Sequence, residues 1–136
     1  MTMKPSFFLF VTCATLSLSA AHSADVSAQS TGKELYERHC SACHSMLPPP
    51  KSAPPIAGLS HFYHQAFAER EEGVRHIMEF VAKPEASKSK LRPPAITRFG
   101  LMPAVELDER DLRTVSEWLW DQHDPKFQPP ECPAKY

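Results

Sequence analysis

The sequence has no surplus of charge of either sign. Fifteen Lys and Arg stand against sixteen Asp and Glu, a net charge of −1 over 136 residues. That gives no case for a nucleic-acid partner or an anionic membrane surface. A membrane-length apolar run is also missing. The longest, residues 6–20, has about 15 residues, where a spanning helix needs about 20. No stretch alternates apolar and polar residues, so nothing argues for a sheet, and no internal repeat is visible. Cysteine is sparse. Of the four, Cys13, Cys40, Cys43 and Cys132, only the middle two are close together.

What the N-terminus does have is the pattern of an export signal. Lys4 supplies a positive start, residues 6–20 the apolar run, and Val26-Ser27-Ala28 the small residues of a cleavage site. Ser19-Ala20-Ala21 is an alternative cut. Thr12 before Cys13 is a poor match to the small residue that precedes a lipoprotein cysteine. Residues 1–28 are therefore read as a secretory signal peptide and the mature chain as periplasmic, with no membrane span. Removing 28 of 136 residues leaves 108, enough for one small domain. A domain of that size is often helped by a disulfide, a metal or a prosthetic group. The expected organisation is a domain over 29–123 followed by a proline-rich tail over 124–136.

Helical periodicity accounts for most of that domain. Thr31-Gly32-Lys33-Glu34 fits a capping box at a helix start, and Gly32, Tyr36, Cys40 and Cys43 then share a face. Glu69 to Val81 has Val74, Ile77, Met78 and Val81 at helical spacing, with Pro84 as its stop. Asp108 caps a last helix to about Gln122, with Leu112, Val115, Trp118 and Leu119 on its apolar side. The proline-rich segments 47–60 and 84–106 are expected to be loops.

The distinctive stretch is Cys40-Ser41-Ala42-Cys43-His44. A Cys-x-x-Cys pair serves as a redox disulfide, as half of a zinc site, or as the point where haem is joined to the chain. The redox reading needs a strand and a βαβ frame, which are missing. The zinc reading needs four ligands, usually as two spaced pairs, and Cys132 has no partner nearby. Covalent haem needs a histidine directly after the second cysteine, and His44 is there. One covalent haem c per chain is the expected cofactor.

The iron's other axial position then decides the chemistry. Met46 is too close to His44 to reach round the porphyrin, and Met78 sits on an apolar helix stripe. Met102, in a loop between Gly100 and Pro103, is the better candidate. His61, His64, His76 and His123 are the alternatives. Ile56, Leu59, Phe80, Phe99 and Leu101 are candidate pocket walls, and Arg92 and Arg98 could pair with haem propionates.

These segments resemble the monohaem class I cytochrome c family. The resemblance runs from about Thr31 to Gln122 and rests on "GKELYERHCSACH", "PPIAGL", "FGLMP" and "DLRTVSEWLWD". It implies an all-α fold of three to four helices wrapped round the haem. Cys40 and Cys43 would be joined to the haem, and His44 and Met102 would bind iron. The Pro54 carbonyl would accept a hydrogen bond from His44. Gly32 and Tyr36 would meet Val115 and Trp118 where the first and last helices cross. The implied function is one-electron transfer, not catalysis, with a dehydrogenase, an oxidase or a respiratory complex as redox partner. The alternative is a cytochrome subunit serving a periplasmic dehydrogenase, or an open-site haem enzyme or sensor. Cys132, left over in an exported chain, is expected either as a free thiol or as a bridge between two chains.

Overall fold

The computed structural model describes residues 23–130, and side chains from residue 31 onward. Residues 1–22 of the expected signal peptide, Cys13 among them, and Cys132 lie outside the described residues. Within them every regular element is helical: α1 (Ser23–His39), α2 (Ile56–Ala66), α3 (Arg70–Ala82), a 3₁₀ turn (Ala86–Lys88), α4 (Pro93–Phe99) and α5 (Glu109–Asp121). The protein is all-α, and none of these helices is long and apolar enough to cross a membrane.

α5 is the centre of the fold, with α1, α2 and α3 packed on it. Its start follows from its sequence. The Asp108 side chain accepts from the Asp111 amide at 2.8 Å, covering one of the free donors of the first turn. Glu109 and Asp111 put further negative charge where the helix dipole favours it. Leu112, Val115, Trp118 and Leu119 are all buried. Trp120, absent from the expected apolar face, is buried as well.

Glycine sets two of the helix crossings. A Cβ on Gly32 of α1 would overlap the Cβ of Trp118, and one on Gly73 of α3 would enter the Trp120 ring. The first clash is the harder to relieve, because a Cβ is fixed by its own backbone whereas an indole can turn. Gly32→Ala is therefore expected to push α1 off α5 and cost about 1–3 kcal/mol, read as a lower denaturant midpoint.

Three expectations are corrected. Thr31 and Glu34 lie inside α1, whose first turn begins upstream at Ser23, so they do not start the helix in this chain. Cleavage after Ala28 would bring Thr31 close to the new terminus. Residues 56–60, expected as loop, open α2, and residues 93–99 form α4. In both cases proline begins the helix: Pro55 is the N-cap of α2 with φ −67° and ψ 149°, and Pro93 and Pro94 occupy the first turn of α4. A first-turn residue has no intrahelical partner for its N–H, so the missing donor costs nothing there.

Candidate haem-binding site

α1 ends at His39, and the Cys40–His44 stretch continues it as a hydrogen-bonded turn. The Cys43 and His44 amides donate to the Cys40 carbonyl at 3.1 and 2.9 Å. The Tyr36 hydroxyl donates to the His44 carbonyl at 2.8 Å. Its ring stacks on Trp118 with centroids 4.8 Å apart, so the turn is tied to the α1–α5 crossing. The proline-rich segment folds back on the same turn. The Ala53 amide donates to the Cys43 carbonyl at 3.1 Å, and the Ile56 amide to the Ser45 carbonyl at 2.8 Å.

That return brings Pro54 to His44. His44 Nδ1–H donates to the Pro54 carbonyl at 2.6 Å. With Nδ1 so engaged, Nε2 carries the free lone pair, which is the tautomer a metal ligand needs. Burial holds the His44 imidazole below its ordinary value of 6.5, with the Pro54 acceptor opposing, so the ring is neutral at neutral pH.

Cys40, Cys43, His44, Pro54 and Met102 all line one cavity of about 230 Å³. His44 and Met102 are 58 positions apart in the chain. The Met102 loop is held by the Val105 amide, which donates to the Val81 carbonyl of α3 at 3.1 Å. Gly100, with φ 75°, turns the chain out of α4 just before it. Ile56, Leu59, Phe80, Phe99 and Leu101 line the cavity too. Cys40 and Cys43 are free thiols, and burial followed by the neighbouring Cys43 pushes the Cys40 thiol up. That is opposite to the lowered thiol of a redox-active pair.

The other candidates for the second axial position lie elsewhere. Met78 packs against the core, and neither it nor Met46 reaches the cavity. His61, His64, His76 and His123 do not line it either. His64 stacks on Trp120 and on His123, with centroids 3.9 and 4.0 Å away. His76 leans on Tyr63 and Phe67. His39, beside Cys40, does line the cavity, and the sequence had not singled it out. Among the described residues no three or more His, Cys, Asp or Glu are grouped to hold a metal ion. A set of one imidazole and one thioether is not a group of that kind.

Burial also depresses His76 and His123. These imidazoles and His44 bind protons more readily when the chain is unfolded. Their contribution to stability is therefore complete above the ordinary value of 6.5 and is lost as pH falls through their lower folded values. In the haem-free chain, the urea midpoint should drop on acidification below that value and hold steady just above it.

The cavity fits the group expected from the sequence in three respects: an imidazole in the ligating tautomer, a thioether on the same cavity, and two free thiols at its wall. No protein-family model matches the chain, and no solved structure matches it. It is similar to an uncharacterized protein of Aquifex aeolicus (strain VF5), 25% identical over 111 residues, which covers 68% of this chain and 73% of that one.

Proposed function

We propose that the chain is a periplasmic electron-transfer protein of the cytochrome c type, its helices wrapped round one covalent haem c. The observation that carries this is the meeting of Cys40, Cys43, His44 and Met102 on one largely apolar cavity. When bound there, a haem supplies an iron that alternates between the ferrous and ferric states.

The residues have separate tasks. Cys40 and Cys43 would hold the haem, each thiol adding its S and its H across one vinyl group, so attachment would need no oxidant. His44 offers Nε2 while Pro54 fixes the ring through Nδ1. Met102 offers a neutral, soft sulfur, which favours the reduced ion, and the apolar wall disfavours extra charge. Both raise the potential. With His44 and Met102 both committed to the iron, a bound haem would pass electrons and would make or break no substrate bond.

Leu101, next to Met102, both lines the cavity and is 43% exposed, and Leu47 is 63% exposed. An apolar side chain at the cavity edge, as Leu101 is, suits contact with a protein redox partner, whether in transit or as a subunit of a dehydrogenase. Intact mass under denaturing conditions tests attachment: the proposal expects the chain plus one haem, and a bare chain from haem-competent cells counts against it.

A further inference from the structure

Three histidines meet beside the end of α5, away from the cavity. His61 and His64 stand one turn apart on α2, and His123 follows Gln122, the C-cap of α5. The His64 ring stacks on Trp120 and on His123, with centroids 3.9 and 4.0 Å away. His64 Nε2–H donates to the Trp120 carbonyl at 3.1 Å, and the His61 ring lies 6.2 Å from that of His123. None of these residues lines the cavity, so nothing in this group depends on a haem.

The segment after α5 turns back onto the histidines. The Phe127 amide donates to the Asp124 carbonyl at 2.9 Å, and the Lys126 amide to the Asp124 carboxylate at 2.8 Å. That turn sets the half-buried Phe127 ring against His61, with centroids 5.8 Å apart.

This packing suits neutral rings and not charged ones. Nδ1 of His61 and Nδ1 of His123 are buried with no hydrogen-bond partner among the described residues. An imidazolium donates from both nitrogens, so a charged ring in either place buries a donor without an acceptor. Charge on His64 and His123 together would also stack two cations 4.0 Å apart. Burial depresses His123, charge on His64 and then on His61 depresses it further, and Asp124 opposes them. The neighbouring charges are committed elsewhere. Asp121 pairs with Arg70 of α3 at 3.1 Å, the Arg92 guanidinium lies 5.6 Å from the Phe62 centroid, and Lys126 is exposed.

We propose that His61, His64 and His123 form an acid-operated latch, which holds the segment from Asp124 to Pro130 against α2 when neutral and releases it when protonated. Released rings recover water on both nitrogens, so the open arrangement takes up protons that the closed one disfavours. The hold is complete above the ordinary imidazole value of about 6.5. It is lost as pH falls through the lower value of the packed His123.

Amide hydrogen exchange of the purified protein, corrected for the intrinsic effect of pH, tests the latch. The Phe127 amide should be protected at about pH 7.5 and lose that protection towards about pH 5, by about tenfold per pH unit for each proton taken up. Amides in the middle of α5 should keep theirs, which separates release of the tail from unfolding. The paired variant His61→Phe/His123→Phe keeps the ring contacts and removes two of the charges, so most of the fall should disappear. If that variant fails to fold, Phe127→Ala supplies the measurement. Losing the ring that the latch holds should raise the pH at which the His123 resonance titrates by NMR, because the coupling of protons and tail is reciprocal. Phe127 protection that is equal at both pH values, or lost together with that of α5, overturns the latch. So does an unchanged fall in the paired variant, or an unchanged His123 midpoint in Phe127→Ala.

Discussion

Replacing Cys40 and Cys43 together by Ala is expected to abolish covalent haem. Cys13 and Cys132 are the chain's remaining thiols, and neither lies in the Cys-x-x-Cys-His spacing. The denatured double variant should have the bare chain mass and give no haem-dependent peroxidase stain on a denaturing gel. The single variants should fall between, each retaining one thioether bond. The effect should be confined to attachment. Cys43 is exposed and Cys40 only partly buried, so their loss removes little core packing. His44 keeps its bond to Pro54 and could still bind haem reversibly. Haem that survives denaturation on the double variant would defeat the attachment assignment.

Met102→Ala is expected to separate attachment from ligation. On the proposed reading Cys40, Cys43 and His44 would still hold the haem, so covalent content should be unchanged. The iron loses a soft donor that prefers the ferrous ion, so the potential should fall. The far-red charge-transfer band should vanish, the ferric protein should become partly high-spin, and carbon monoxide or cyanide should bind readily. Met78→Ala is the matched control. It packs against the core and away from the cavity, so it should leave the spectrum alone and cost about 2–5 kcal/mol of stability. A native spectrum in Met102→Ala, with loss of it in a His61, His64, His76 or His123 variant, would instead make the iron bis-histidine.

What could be read in advance was whatever depends on local pattern. α3 and α5 follow from apolar spacing, and α5 also from the Asp108 cap, which the structure shows bonded to Asp111. α2 and α4 are hidden wherever proline counts only as a breaker. Pro55 and Pro93 stand at helix starts, where a missing N–H is harmless. Ile56, Leu59 and Tyr63 already carried an i, i+3, i+7 signal that would have placed α2. Cys40, Cys43 and His44 are contiguous, so their motif needed no fold to be noticed. Tyr63 was different, because its burial against Phe67 and His76 depends on how α2 packs. The gathering of His61, His64 and His123 likewise depends on α2 lying against the end of α5.

The proposal stands or falls on the ligand pair His44 and Met102 at one iron. The most direct measurement is the visible and far-red absorption spectrum of the purified holoprotein in both oxidation states, with carbon monoxide added to the reduced form. The expected result is a sharp α-band on reduction, a weak methionine–iron band near the far red in the oxidised protein, and no change with carbon monoxide. A reduced wild-type protein that binds carbon monoxide at neutral pH, or an oxidised one without the far-red band, would contradict it.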